Sequence, residues 1–228
     1  MGAISRRKPA AAAKHAPSKN VAVKAAGAAQ KILDVAEELA QTRGYNGFSY
    51  ADIAARLGVT KASLHYHFQS KADLGCALIE RYHAVFNAAL DAIDQQCADP
   101  AEKLRRYIAL YDAVMRNDRI CLCGMLAAEY ATLPAPMQKR LTSFFDANER
   151  WLTAVLEGGR RAGSFSIAEE PGERARAVLG ALEGAMLVAR SYRDPGRFRA
   201  AADYVLADLC KCAPSGGITR VGRASKRA

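Results

Sequence analysis

The chain has 228 residues, of which 50% are hydrophobic, and a formal net charge of +10 at pH 7. This length allows one or two domains with a sizeable core. There is no apolar run of roughly 18 residues, and the N-terminus lacks the apolar segment of a secretory signal. These absences argue against a membrane or secreted protein, so we expect a cytoplasmic protein without a membrane partner.

The positive charge is concentrated at the two ends of the chain. Residues 1–27 and 213–228 contain ten of the 33 basic residues and no acidic residue, which leaves residues 28–212 with 23 basic and 23 acidic side chains. Both ends are poor in large apolar residues, so we predict a disordered basic arm over 1–27 and a disordered basic tail over 213–228. The arm either contacts DNA phosphates or the minor groove, or only increases solubility.

The first predicted helix spans residues 28–42 and is followed by two short helices with the spacing of a helix-turn-helix. Ser49 can cap the second helix, with Asp52 closing a capping box. Gly58 suits the positive φ of the turn, and Thr60 can cap the third helix, residues 61–67. Two short helices joined by a tight turn place the second of them in the DNA major groove.

The outward face of the third helix is polar and contains no acidic residue. Such a face is suited to a polyanion, and the alternative is an ordinary solvated amphipathic helix. The side chains on this face are Lys61, Ala62, Ser63, His65, Tyr66 and His67.

The segment from about 29 to 79 resembles the DNA-binding domain of the TetR family of transcriptional regulators. The matching residues are Ile32, Leu33, Ala36, Leu39, Gly44, Tyr45, Ile53, Ala54, Gly58, Val59, Leu64, His67, Phe68, Ser70, Lys71 and Leu74. His65 departs from the Tyr that the family usually has there. The resemblance implies a DNA-binding domain over 28–75, in which Tyr50 and Lys71 contact backbone phosphates and Ser49 and Thr60 also lie at the DNA surface.

The rest of the chain is predicted to be helical. Helix 4 runs from Ser70 to about Cys97, and further helices are expected over 101–116, 120–132, 135–162, 171–192 and 195–211. The predicted fold class is therefore all-α, with about nine helices: a three-helix DNA-binding domain followed by a helical ligand-binding and dimerisation domain over 76–212.

Helix 8 is apolar around most of its circumference. Gly180 and Gly184 form a groove of small residues on one face, where another helix could approach closely. Family resemblance implies a homodimer through the last two long helices, and the alternative is a helix buried within one chain. A dimer would place two recognition helices in successive major grooves, about 34 Å apart.

Six cysteines invite three interpretations. The pairs Cys121/Cys123 and Cys210/Cys212 could bind a metal only at a frayed helix end, because residues i and i+2 point in different directions on a helix. Alternatively, Cys121 or Cys123 senses electrophiles or oxidants, since the helix dipole and Arg119 would favour the thiolate. The third possibility is that both are buried apolar residues.

The stretch from Arg119 to Pro134 is similar to the TetR subgroup of NemR- and AcuR-like repressors, which control the disposal of electrophilic small molecules. A reversible ligand pocket among helices 4 to 8 is the competing mechanism of induction. Glu183, in the middle of helix 8, is a candidate for this pocket and requires a partner such as Arg190 or a ligand.

The sequence therefore predicts a homodimeric repressor that binds a palindromic double-stranded DNA operator and is released by a small-molecule or electrophilic inducer. No cofactor is expected. A thiol-dependent enzyme and a DNA-coating protein are the alternatives. The first has little support, because the sequence lacks recognisable catalytic motifs and two of its four histidines lie on the recognition helix.

Overall fold

A computed structural model describes residues 19–210. Over this range the chain forms nine α-helices and no strand. Their bounds are α1 Lys19–Arg43, α2 Tyr50–Leu57, α3 Lys61–His67, α4 Lys71–Gln96, α5 Pro100–Met115, α6 Leu122–Ala128, α7 Ala135–Arg161, α8 Pro171–Ser191 and α9 Pro195–Leu209, with a 3₁₀ turn at Tyr130–Thr132.

The helix boundaries follow from capping side chains. Ser70 caps α4 and forms a capping box with Asp73. The carboxylate of Asp99 accepts from the backbone N–H groups of Ala101 and Glu102 at the start of α5, and Pro100 lies in its first turn, where a missing N–H has no cost. Asp194 caps α9 in the same way.

Two predicted boundaries were wrong. Helix α1 begins at Lys19, so residues 19–27, which we assigned to a disordered arm, are helical. The predicted sixth helix over 120–132 is instead a short α-helix, Leu122–Ala128, followed by the 3₁₀ turn. The remainder of the predicted arm, residues 1–18, and the predicted tail lie outside the described residues, as does Cys212.

The helices form two units, which the long helix α4 connects. Helices α1–α3, the N-terminal domain, pack around Leu39, Ile53 and Leu64, each fully buried. Helices α5–α9, the C-terminal domain, pack mainly through α7, α8 and α9. Helix α4 contacts both α1 and α7, and its 26 residues extend about 39 Å at 1.5 Å per residue. Within residues 19–210, no helix has the length and apolarity needed to cross a membrane.

Candidate DNA-binding surface and ligand cavity

The turn between α2 and α3 has the geometry that the sequence predicted. The Ser49 hydroxyl accepts from the backbone of α2, the Asp52 carboxylate accepts from the backbone N–H of Ser49 at 2.8 Å, and Gly58 ends the helix with φ 65°. Thr60 caps α3 by accepting from the N–H of Ser63 at 3.3 Å. Ser49 and Thr60 thus fix the two helix starts, while both remain exposed.

Helix α3 presents most of its predicted DNA-contacting residues to solvent. Leu64 is its one fully buried side chain and anchors the helix on α1 and α2. Tyr66 is 77% exposed, and His67 is half-buried. The structure therefore brings together an exposed face consisting of Lys61, Ala62, Ser63, His65 and Tyr66.

The orientation of the His65 ring is set by the loop that follows α3. Its Nδ1 lies 3.0 Å from the carbonyl oxygen of Gln69, and its ring is 4.7 Å from that of Tyr50. A carbonyl only accepts, so Nδ1 carries a proton and the neutral ring offers Nε2 as an acceptor. His65 can therefore donate to a phosphate through Nε2 only as the imidazolium, whereas the neutral ring can accept from a base amino group.

Tyr50 is buried and Lys71 half-buried, and both make hydrogen bonds within the protein, so their contacts with backbone phosphates stay a prediction. The Tyr50 hydroxyl lies 2.9 Å from the carbonyl oxygen of Phe68 and 2.7 Å from that of Ser70, and the residue is buried. The Lys71 ammonium donates to the carbonyls of Tyr45 and Phe48, and burial lowers its pKa. Both side chains hold the loops around the recognition helix in place.

Replacing Tyr50 by phenylalanine distinguishes these two roles. Loss of the hydroxyl leaves two loop carbonyls without this donor, so we expect a loss of about 1 kcal/mol in unfolding free energy. The affinity for DNA should not change, because no phosphate contact is lost. An affinity lowered about tenfold for specific and unrelated DNA alike would instead show that Tyr50 donates to a phosphate, since a hydrogen bond to a charged group contributes about 1.5–3 kcal/mol. Urea denaturation and DNA titrations at one salt concentration measure the two quantities.

A cavity of about 530 Å³ opens where the N-terminal domain meets α4 and α5. This volume is within the range of small-molecule sites. Asp34, Glu37 and Gln41 of α1 form one wall, and Arg81 of α4 pairs with both acids, at 2.6 Å from Asp34 and 2.5 Å from Glu37. The opposite side is mostly apolar and consists of Tyr82, Val85, Phe86, Ala89, Leu110, Tyr111 and Val114.

A buried polar cluster lies behind this cavity. The hydroxyl of Tyr82 donates to Sγ of Cys121 at 3.6 Å, and the hydroxyls of Tyr107 and Tyr111 are 2.9 Å apart. The carboxyl of Glu183 lies beside Cys121 and interacts electrostatically with its thiol and with the Tyr111 hydroxyl, while Oε1 of Glu183 is buried without a hydrogen-bond partner. Buried polar groups that lack a partner are costly, which marks this cluster as a site of functional interest.

The electrostatics of Cys121 and Cys123 differ from our prediction. Burial, followed by the nearby Glu183 carboxylate, raises the pKa of the Cys121 thiol well above its usual value. Burial also raises the pKa of Cys123. Cys121 precedes α6 as its N-cap, and the Arg119 guanidinium lies 3.6 Å from Glu38. The expected thiolate stabilisation by a helix dipole and Arg119 was therefore wrong for the observed conformation.

The two cysteines differ in access to the cavity. Cys121 lines it, although only 1% of its surface is exposed, whereas Cys123 does not line it. The partner predicted for Glu183, Arg190, instead reaches the end of α1. Among the residues with described positions, no group of His, Cys, Asp and Glu has the arrangement of a metal site.

Sequence reasoning missed how two tyrosines complete the buried cluster, although Tyr107 and Tyr111 stand out as polar side chains on an otherwise apolar stretch. Tyr107 and Tyr111 are four residues apart and therefore lie on one face of α5, which was the available signal. Asn148 was missed as well; its side-chain oxygen accepts from Tyr107 at 3.1 Å. Its isolated position among the apolar residues of α7 was a weak signal.

Helices α8 and α9 leave a largely apolar surface uncovered. Val188 is 51% exposed, Tyr192 63% and Tyr204 71%. A Cβ added at Gly180 or Gly184 would meet no atom within 4 Å, so the predicted groove of small residues is open in the single chain. An exposed surface of this kind is characteristic of a protein–protein contact.

Comparisons with known proteins identify the family. The family model "Bacterial regulatory proteins, tetR family" matches residues 32–77, and "Tetracyclin repressor-like, C-terminal domain" matches residues 100–205. The chain belongs to the TetR family of transcriptional regulators. The predicted resemblance and all-α fold are thereby confirmed, and DNA-binding regulation of transcription, rather than enzymatic activity, is the function of this family.

Individual TetR-family relatives match most of this chain. Transcriptional regulator AcuR of Cereibacter sphaeroides is 29% identical over 166 residues, covering 71% of this chain and 75% of that protein. The crystal structure of a TetR-family regulator from Agrobacterium tumefaciens is 34% identical, with a TM-score of 0.79, covering 82% of this chain and 99% of that one. Reduced NemR of E. coli shares the fold, with 24% identity, a TM-score of 0.69 and coverage of 81% and 98%, respectively.

Proposed function

We propose that this TetR-family protein is a homodimeric repressor that leaves a palindromic operator when a small molecule or an electrophile occupies the cavity beside α1. The observation that carries this proposal is the composition of the cavity wall. Asp34, Glu37 and Gln41 belong to the first helix of the DNA-binding domain, while the other lining residues lie mainly on α4 and α5. An occupant therefore contacts both parts of the molecule and can favour one relative orientation.

Operator recognition is assigned to the exposed face of α3 and to the half-buried His67 beside it. Lys61, Ser63, His65, Tyr66 and His67 contact base edges and phosphates, and Ala62 permits close approach to the groove. The exposed surface of α8 and α9 covers its counterpart in a second copy. The dimer then places its two recognition helices about 34 Å apart on DNA in the cytoplasm, where it associates with the nucleoid.

Cys121 is the thiol assigned to electrophile sensing, since it lines the cavity and Cys123 does not. With an unsaturated aldehyde, a carbon–sulfur bond forms between Sγ and the β-carbon as the carbon–carbon π bond breaks, and its electron pair moves to the α-carbon. The thiol proton passes to the Glu183 carboxylate and then to the α-carbon of the adduct. Glu183 is suited to this transfer because it lies beside Cys121 and because burial raises its pKa to about 7.

The test is a fluorescence-anisotropy titration of the dimer with the DNA upstream of its own gene, with a scrambled duplex as the control for sequence specificity. The titration is repeated after treatment with crotonaldehyde, for the wild type and for Cys121→Ser and Cys123→Ser. We expect the aldehyde to weaken wild-type binding by about tenfold or more, within the usual range of allosteric coupling. Cys121→Ser should abolish the effect, and Cys123→Ser should retain it.

Each outcome has a distinct meaning. Equal affinity for the upstream and scrambled duplexes would contradict the repressor proposal itself. Selective binding that does not respond to crotonaldehyde would contradict thiol sensing and support a reversible ligand in the same cavity. Loss of the response only in Cys123→Ser would reverse our assignment of the two cysteines.

A further inference from the structure

The C-terminal end of α1 is held by two charged side chains from the C-terminal domain. Glu129, directly after α6, accepts a hydrogen bond from the backbone N–H of Tyr45 at 2.6 Å and lies 3.3 Å from that of Asn46. On the other side, the Arg190 guanidinium of α8 donates to the carbonyl oxygens of Gln41, at 3.0 Å, and of Thr42. The Glu129 carboxylate therefore binds N–H groups just after α1, and the Arg190 guanidinium binds the last carbonyl groups of α1, where a positive charge is favoured by the helix dipole.

The local backbone is shaped for the carboxylate. Gly44 ends α1 with φ 84°, which turns the following N–H groups toward Glu129. A Cβ at this position would lie 2.6 Å from Oε1 of Glu129, so any larger residue would displace the carboxylate. Gly44 is needed both for the left-handed turn and for this close approach.

Further hydrogen bonds link the loop after α1 to the loop that follows the recognition helix, α3. The carbonyl oxygen of Tyr45 accepts from the Lys71 ammonium at the start of α4, and Lys71 also holds Phe48. Nearby, the Tyr50 hydroxyl reaches the carbonyls that join α3 to α4. The α1–α2 loop and the α3–α4 loop are thus joined through short, direct hydrogen bonds.

We propose that Glu129 and Arg190 form a clamp on the end of α1 that sets the orientation of the recognition helix on the C-terminal domain. They are positioning residues, since neither contacts DNA in this role. The inference rests on the proposed operator binding, because an orientation matters only when two recognition helices must dock at once.

Helix α6 connects the clamp to the sensing site. Cys121 is its N-cap and Glu129 its C-cap, and Arg190 also lies 3.2 Å from Sδ of Met125 within this helix. Seven residues rise only about 10 Å, so α6 moves as a short rigid unit. An adduct at Cys121 that displaces the start of α6 also displaces the carboxylate at its end.

The binding test compares DNA with two half-sites and DNA with one. Glu129→Gln removes the charge at constant volume, and Arg190→Met removes the donors. Both substitutions should loosen the N-terminal domain on the C-terminal domain, which lowers the effective concentration of the second recognition helix at its half-site. The affinity for the complete palindrome should therefore fall about tenfold, while the affinity for a single half-site stays constant. Glu157→Gln and Arg160→Met are matched controls, as both side chains are exposed on α7. An unchanged ratio of the two affinities would overturn the clamp.

A second measurement does not depend on DNA. Hydrogen exchange of the Tyr45 and Asn46 amides should accelerate about tenfold in Glu129→Gln because their acceptor is weakened, with no change in the α8 and α9 amides. Unchanged exchange would refute the clamp even if operator binding fails. Faster exchange in a protein that binds no palindrome would leave the contact standing and refute the proposed function instead.

Discussion

Replacing Glu183 by glutamine is expected to stabilise the protein above pH 7. Burial raises the pKa of the Glu183 carboxyl from 4.5 to about 7 in the folded protein. Below pH 4.5 the group is protonated in both states and has no linkage effect. As the pH rises from 4.5 to 7, the Glu183 carboxyl loses its proton in the unfolded chain before it does in the folded protein. The unfolding free energy of the wild type therefore falls by about 3 kcal/mol over this range, and the glutamine variant avoids this loss.

Urea unfolding at pH 5 and pH 8 measures this difference, at one protomer concentration because a dimer's stability depends on it. The advantage of Glu183→Gln should be small at pH 5 and largest at pH 8. Glu173→Gln is the matched control, since Glu173 is exposed in the first turn of the same helix. A Glu183→Gln variant no more stable than the wild type at pH 8 would show that the carboxyl is stabilised as the anion.

Phe144→Ala is expected to destabilise the protein by about 3–5 kcal/mol, since truncation of a buried aromatic ring leaves a cavity. Phe144 is fully buried in the centre of α7. Its ring centroid lies 5.3 Å from that of Phe86, 5.7 Å from Tyr82 and 5.7 Å from His83, so one ring supports several residues of α4.

Urea denaturation of Phe144→Ala, again at fixed protomer concentration, gives the loss in unfolding free energy. Phe145→Ala provides the comparison, because Phe145 is the same residue type on the same helix but only half-buried. Equal losses for the two variants would show that the packing of the buried Phe144 ring against α4 adds no stability beyond that of a half-buried ring.

The helix-turn-helix was predictable because its determinants are local. The Ser49 and Thr60 caps act within three residues, and Gly58 has the positive φ that the turn requires. The second half of the chain was predictable as helices for the same reason, with boundaries marked by Asp99–Pro100 and Asp194–Pro195. The sixth helix was predicted too long because the chain passes into a 3₁₀ turn after Glu129.

The roles of individual polar residues depended on distant parts of the chain and could not be predicted. Lys71 follows a helix cap and resembles an exposed basic residue, but its ammonium is bound by carbonyls more than twenty residues away. Cys121 lies at a helix start, which favours a thiolate, yet burial and Glu183 have the opposite effect on its pKa. Arg190 was one candidate partner for Glu183, with a ligand as the alternative, and it instead binds α1.

The packing of α3 has an evolutionary consequence. The recognition helix rests on α1 and α2 through Leu64, and none of its own residues lines the cavity or belongs to the Cys121 cluster. After a gene duplication, substitutions on the exposed face of α3 can therefore redirect a copy to a new promoter without repacking the sensing site. Equally, a copy can acquire a new inducer while it continues to regulate the same genes.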